Sequence, residues 1–242
     1  MSILRVATIE PEGATTTLTL GLSGDTVTSS ADSIKTNTFK DAGGNTLWTS
    51  DGSGTLSSIN AGFAVAGPIL ILSQTASSSA TISFTSDLGS TYTTYMFVFG
   101  DINPATNNVD FTFQVSIDGG SNYNRSITST YFNAYHNEAG TQSDLGYQAA
   151  NDQASGSGFQ ILCDGLDSAA DLSSSGVLYL ANPASTTYVK TFIARMASNH
   201  INDYAYDESI AGFFNTTSAV DAIQFKMSSG NFDGKITMYG II

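Results

Sequence analysis

Basic residues are scarce in this sequence, and charged residues of either sign are uncommon. Among its 242 residues, 8 are Lys or Arg and 21 are Asp or Glu, which gives a formal net charge of −13. No basic patch can therefore be assembled to track the phosphates of a nucleic acid or to attract an anionic membrane. Charged residues make up only 12% of the chain, and Ser, Thr, Asn and Gly take their place as the polar residues.

Cysteine and long apolar runs are also nearly absent. The single cysteine, Cys163, excludes an internal disulfide and a cysteine-based zinc site, and its setting predicts a small buried residue in a strand. The longest apolar candidate, residues 61–72, is too short for a membrane helix and is interrupted by Gly62, Gly67 and Pro68. The opening MSILRVATIEPEG has no apolar core, so we expect no secretory signal peptide and synthesis in a cytoplasm.

No stretch shows convincing helical periodicity, whereas alternation with a period of two recurs along the chain. Phe111, Phe113 and Val115 alternate with polar residues, which indicates one buried and one solvent-exposed face of a strand. Turn-forming residues separate such segments. The predicted strands are 69–73, 80–85, 92–100, 109–117, 126–132, 159–163, 176–181, 188–196, 210–214, 219–227 and 235–241. Residues 66–242 are thus predicted to form an all-β, jelly-roll-like antiparallel β-sandwich head.

Residues 1–65 differ from the rest because they contain few aromatic side chains. We expect short strands over residues 17–22, 33–39 and 46–49, with a turn at 41–45. Ordering a residue costs about 1–2 kcal/mol of backbone entropy, whereas burying a leucine returns about 1.5–3 kcal/mol. This segment has too few large apolar residues to offset that cost alone. It is therefore predicted to be an N-terminal anchor and short β stem that packs against copies of itself or a particle.

Two polar segments, 133–158 and 198–208, interrupt the strand pattern and are predicted to be long loops, which are often functional. Aromatic side chains beside Asn and Asp are a common arrangement in sugar recognition, because ring faces stack on the apolar side of a sugar. Rings in these positions also cover sandwich edges or fill subunit interfaces. The candidate receptor or glycan contacts are Tyr131, Tyr135, His136, Tyr204 and Tyr206.

Nothing in the sequence predicts an enzyme. A Ser-His-Asp triad needs a histidine base, and the only histidines, His136 and His200, lie in the two polar segments. Calcium is the metal that best fits the loops, because residues 101–103 with 107–110, and residues 118–122, could offer oxygen ligands. Neither segment has EF-hand spacing, and Asx turns or hairpin caps explain both without an ion. No other cofactor is expected.

Three segments resemble a domain common in tail-fibre and other structural proteins of marine tailed phages. They are YMFVFGDINPATNNVDFTFQVSIDGGSNYN (95–124), SSSGVLYLANPASTTYVK (173–190) and KMSSGNFDGKITMYGI (226–241). TLTLGLSGDTV (17–27) and KDAGGNTLWTSDGSGTLSSIN (40–60) are similar to the N-terminal parts of such proteins. The resemblance implies a β-sandwich head on a short stem, usually trimeric, and carries over no active-site residue.

The function expected from these observations is structural. The chain would be a trimeric fibre or appendage subunit of a virion, bound to other virion proteins through residues 1–65 and contacting a host glycan or receptor with its head. A capsid decoration or head-fibre protein is one alternative, and a lectin-like carbohydrate-binding module is another. The sequence predicts neither nucleic-acid binding nor membrane insertion.

Overall fold

The computed structural model describes residues 38–41, 43–50, 56–57 and 67–241. The chain divides into two compact units, Met1–Ala64 and Val65–Ile242. The predicted strand at 17–22, and most of the predicted anchor and stem over residues 1–65, lie outside the described residues.

In the first unit the described residues form a small antiparallel sheet of β1 (Thr38–Lys40), β2 (Thr46–Ser50) and β3 (Leu56–Ser57), in that order. The predicted turn between β1 and β2 is confirmed, because the Asp41 carboxylate accepts hydrogen bonds from the backbone and side-chain amides of Asn45, at 2.8 and 3.0 Å. Phe39 stacks on Trp48 with ring centroids 5.1 Å apart. The two aromatic residues of these strands thus form one cross-strand pair.

The second unit is built entirely from antiparallel strands in its described residues, which confirms the predicted all-β class. Each of the eleven strands predicted for this unit has an observed counterpart. Two further strands, β9 and β10, were not predicted. The strands are β4 (Ile69–Ser79), β5 (Ile82–Phe84), β6 (Thr94–Pro104), β7 (Val109–Ser116), β8 (Ile127–Asn137), β9 (Ser143–Tyr147), β10 (Ala154–Gly156), β11 (Gln160–Leu166), β12 (Ser174–Ala181), β13 (Lys190–His200), β14 (Tyr204–Phe214), β15 (Ala222–Met227) and β16 (Phe232–Ile241).

These strands form two layers that belong to one hydrogen-bonded sheet. The first layer, the large sheet, has the order β4-β16-β6-β12-β13-β14-β8, with β9 and β10 both paired to the outer edge of β8. The second, the small sheet, has the order β5-β15-β7-β11. A single registered pair, Leu166 with His200, connects β11 to β13. At this connection the hydrogen-bonded sheet folds back on itself, so that the two layers face each other and bury the sides between them.

Aromatic side chains fill the space between the layers. Phe225 of the small sheet lies 5.2 Å from Phe99 and 5.4 Å from Phe97 of the large sheet, measured between ring centroids. Phe113 contacts Phe192 at 5.1 Å in an edge-on arrangement. Such pairs stabilise a core beyond the burial of their area. Cys163 is fully buried in β11, as predicted.

The two long polar loops predicted at 133–158 and 198–208 are wrong in extent. Most of residues 133–147 belong to β8 and β9, and residues 198–208 are the ends of β13 and β14 with a turn between them. His136 and His200 are consequently strand residues. The strands continue past the small sheet, so their side chains no longer need to be apolar, and the alternation that marks a half-buried strand is lost there.

None of the described residues forms a helix of the length and apolar character that a bilayer crossing requires.

Candidate binding site at the tip of the large sheet

Strands β8, β9, β13 and β14 project together at one end of the large sheet and end in two neighbouring turns. We call residues 135–144 and 198–206 the tip. Strand register sets its pattern, because residues directly opposite each other lie on the same face. Tyr206 pairs with Tyr135, and Tyr204 pairs with both His200 and Asn137. The sheet therefore brings side chains of β13 and β14 together with side chains of β8 that lie far away in the sequence.

A carboxylate marks the place where the core ends and the tip begins. Glu208 is fully buried on the inner face of β14. Its oxygens accept hydrogen bonds from the Tyr131 hydroxyl (2.6 Å), the backbone N–H of Asp164 (2.8 Å) and the Ser198 hydroxyl (2.8 Å). Burial raises the pKa of Glu208 to about 7, although the three donors favour its charged form.

Tyr131 does not belong to the tip, so its prediction as a receptor contact is wrong. Its side chain is fully buried, and its hydroxyl is committed to Glu208. Burial, together with the nearby Glu208 charge, raises the pKa of Tyr131. The alternation of β8 explains the position, because Ile127, Ser129 and Tyr131 all point to the inner face and are all buried.

Four rings form a continuous cluster on the inner face of the tip, beyond Glu208. The His200 ring stacks on Tyr206 at 4.6 Å and on Tyr204 at 5.8 Å between centroids. Tyr135 lies 4.9 Å from Tyr204 and 5.5 Å from Tyr206. The three tyrosine rings are half-buried, and so is His200. The Tyr204 hydroxyl donates a hydrogen bond to the side-chain oxygen of Gln142, which fixes that ring against the neighbouring turn.

His200 sits where the tip meets the small sheet. A side chain at Gly165 would collide with its ring, since an added Cβ would lie 2.6 Å from Nε2. Its Nδ1 accepts a hydrogen bond from the backbone of Asn202 at 3.2 Å. Burial lowers the pKa of His200, while the charges of Asp164 and Asp110 act in the opposite direction. Burial therefore favours the neutral form of the ring, which presents an aromatic surface.

A cleft of about 180 Å³ opens beside these rings, between the two turns and the loop that follows β11. The turns are linked by the backbone N–H of Glu138, which donates to the carbonyl of Asp203 at 3.2 Å. Leu172 reaches the cleft because Asn103 donates its side-chain amide to the carbonyls of Ala169 and Leu172. The cleft is lined by His136, Asn137, Glu138, Leu172, Asn199, His200, Asp203, Tyr204 and Ala205.

The structure thus separates the five predicted contact residues. Tyr135, Tyr204 and Tyr206 meet in the ring cluster, whereas His136 is exposed, lies outside that cluster and lines the cleft. The role of His200 could have been found from its spacing, because it follows Ser198 by two positions on the same strand face. Leu172 gave no signal, since it comes from a separate loop.

Residues 118–122, one of the two segments considered for calcium, form a hydrogen-bonded turn. The Asp118 carboxylate accepts from the Asn122 side-chain amide (2.7 Å), the Ser116 hydroxyl (2.6 Å) and the Asn122 backbone (2.9 Å). These bonds, led by that of the Asn122 side chain, lower the pKa of Asp118 to about 2. Among the described residues, no three His, Cys, Asp or Glu side chains come together to hold a metal.

Comparison with known proteins adds no relative: no family model, no curated protein and no solved structure matches this chain.

Proposed function

We propose that this chain is a structural subunit of a virion appendage whose head binds a host-surface carbohydrate with its tip. The observation that carries the proposal is the ring cluster of Tyr135, His200, Tyr204 and Tyr206 beside a small cleft. The cluster continues the inner face of a rigid sheet past the point where the small sheet covers it.

The rings supply the apolar half of a sugar site. Tyrosine presents a flat apolar body with a polar end, which suits surfaces that are partly wet. Tyr204 is held by its bond to Gln142, and Tyr206 is sandwiched between His200 and Tyr135. Little side-chain entropy is then lost when a sugar ring packs against them.

Polar side chains that line the cleft supply the polar half. The side chains of Asn199, Asp203 and Glu138 line it and hydrogen-bond to no other described residue. Carboxylates and amides together can accept from and donate to the hydroxyl groups of a sugar. The volume of about 180 Å³ fits part of a small ligand rather than a whole polymer. A terminal or branching sugar unit is the partner that matches this size.

The assignment to a virion rests on the resemblance of the sequence to phage structural proteins and on its surface of neutral polar residues. Within that class a capsid decoration or head-fibre protein is the alternative placement. Immunogold labelling of intact particles with an antibody to this chain separates the two, since label on the tail supports an appendage and label on the capsid supports decoration. Particles without label would contradict both placements.

Binding of the purified full chain to an array of bacterial surface glycans tests the tip. We expect Tyr206→Ala to weaken binding about tenfold, which corresponds to a loss of about 1.4 kcal/mol. Tyr206→Phe keeps the ring and should retain most of the affinity. Tyr188, which is 70% exposed and lies in the loop before β13, provides a matched control for loss of a surface tyrosine, and Tyr188→Ala should bind normally.

Two outcomes would contradict the proposal. Binding that survives Tyr206→Ala would place the carbohydrate elsewhere, and binding to no glycan would leave the tip without its proposed partner. Release of reducing sugar from the bound polysaccharide would show that the chain is an enzyme.

A further inference from the structure

The outer face of the large sheet carries a row of mostly apolar side chains across its whole width. Register places its side chains in rows that run across the strands. One row crosses seven strands and consists of Leu70, Tyr239, Met96, Tyr179, Ile193, Ala211 and Thr130. The next row consists of Thr237, Val98, Val177, Arg195, Ser209, Phe132 and Tyr147.

Large side chains on this face are open to solvent. Ile193 is 62% exposed and Leu70 60%, and Phe132 and Tyr147 are 46% and 55% exposed. Val98 and Tyr179 are each more than a third exposed. A solvated sheet face normally alternates to polar residues, so a contiguous apolar surface of this kind indicates an interaction site.

The outer face of the small sheet, in contrast, is covered by other segments of the chain at β7. Thr112, Gln114 and Ser116 lie on the outer face of β7 and are all buried. Gln114 donates to the backbone carbonyls of Arg125 and Gly158, at 2.9 and 2.8 Å, so two segments of the chain lie over it. In the described residues no comparable cover lies over Ile193 or Leu70.

We infer that the outer face of the large sheet is the surface through which this chain binds a second copy of itself. The row from Leu70 to Thr130 crosses seven strands spaced ~4.8 Å apart, so it is ~29 Å wide, and this width suits the ~800 Å² that each partner buries in a standard interface. Half-buried Met96, Val177 and Tyr239 lie between the exposed ones, so the patch is continuous across β16, β6 and β12.

Charge identifies the partner. The chain carries a formal net charge of −13, so two copies repel one another over most of their surfaces. The two rows carry one charged residue, Arg195, and Asp207 on the neighbouring strand neutralises it at 2.6 Å. These two rows thus carry no net charge, and the next outward side chain of β16, Lys235, is basic. A basic partner would find no excess of acidic charge on this face, whereas a second copy of this acidic chain meets less repulsion here than over the rest of its surface.

Sedimentation velocity of the full chain tests this inference. We expect the unmodified chain to sediment as a multiple of its 25.3 kDa mass, with a concentration dependence typical of self-association. The observed multiple distinguishes a dimer from the trimer that the sequence resemblance predicts. Ile193→Glu places a charge at the centre of the face and should sediment at the mass of one chain with an unchanged circular dichroism spectrum.

Ser121→Glu is the matched control, because it adds the same charge at an exposed position in the turn after β7, away from the face. It should associate like the unmodified chain. A monomeric unmodified chain at every concentration would overturn the inference, as would an Ile193→Glu chain that keeps its multimeric mass. A loss of glycan binding would not bear on this test, since Ile193 lies outside the tip.

Discussion

The two faces of the large sheet differ in which side chains are buried and which are exposed to solvent. Along β13 every second residue from Lys190 to Ser198 is buried, and those between are exposed. The inner face buries even the carboxylate of Glu208, which has three hydrogen-bond donors. The outer face leaves Ile193 62% exposed. The polarity of a side chain alone therefore does not determine whether it is buried in this sheet. Glu208 can be buried because its hydrogen bonds are satisfied, and Ile193 is exposed because no described segment of the chain packs over it.

The largest expected effect is a pH-dependent one at Glu208. Its pKa is raised from 4.5 in the unfolded chain to about 7 in the folded protein. Between these values the folded state holds more protons than the unfolded state, so stability falls as the pH rises through this window. The Glu208 contribution to this loss is about 3 kcal/mol, at about 1.4 kcal/mol for each pH unit.

Glu208→Gln isolates this contribution, because the amide keeps the shape of the side chain and cannot ionise. Urea unfolding of both proteins at pH 4.5 and pH 8 should show that the variant gains about 3 kcal/mol relative to the unmodified chain over this interval. His200, whose pKa is lowered by burial, contributes with the opposite sign but is present in both proteins and cancels. Parallel stability curves would mean that the buried carboxylate is not a special feature of the inner face.

A second prediction concerns the chain segments that cover the outer face of the small sheet and that are lacking over Ile193 on the large sheet. Gln114→Leu removes the amide that bonds to the carbonyls of Arg125 and Gly158 and leaves them without that donor. We expect a loss of about 2 kcal/mol in the free energy of unfolding, since a buried unpaired polar group costs about 1–3 kcal/mol. Hydrogen exchange over residues 118–126 should accelerate as that segment loosens.

Gln224 provides the control, because it pairs with Gln114 on the same face but is only half-buried and donates one side-chain bond, to Ser83. Gln224→Leu should cost less than about 1 kcal/mol. Equal losses for the two variants would show that the covering segments contribute nothing at this position.

The same contrast explains which parts of the fold the sequence could predict. Strands in which apolar and polar residues alternate, such as β7 and β15, were found, although the polar side chains of β7 are buried as well. Strand β9 was missed because Ser143, Asp144, Leu145 and Tyr147 are all exposed, so no alternation marks it. Tyr131 was assigned to the surface because the polar residues after it suggested a loop, although its own spacing from Ile127 already placed it inside.

The candidate site was predictable only in part, for a physical reason. The tyrosines were recognised by residue type, but their grouping depends on the register between β13, β14 and β8. Register follows from the whole sheet and not from any one segment. The apolar outer face escaped notice for the same reason, because Leu70, Met96 and Ile193 come from strands far apart in the sequence and become one row only when the strands pair.

The smallest expected effect lies on the bare outer face. Arg195 forms a two-bond contact with Asp207, at 2.8 and 2.6 Å, and their side chains are 71% and 46% exposed. Such an exposed pair contributes about 0–1 kcal/mol, because solvent screens the attraction and holding two long side chains costs entropy.

Arg195→Ala is best measured in the Ile193→Glu chain, which we expect to be monomeric, so that association does not enter the free energy of unfolding. A double-mutant cycle with Asp207→Ala should give a coupling energy below about 1 kcal/mol that shrinks further at high salt. A coupling of several kcal/mol in the monomer would mean that this face is already shielded from water within a single chain, and it would remove the contrast with the inner face.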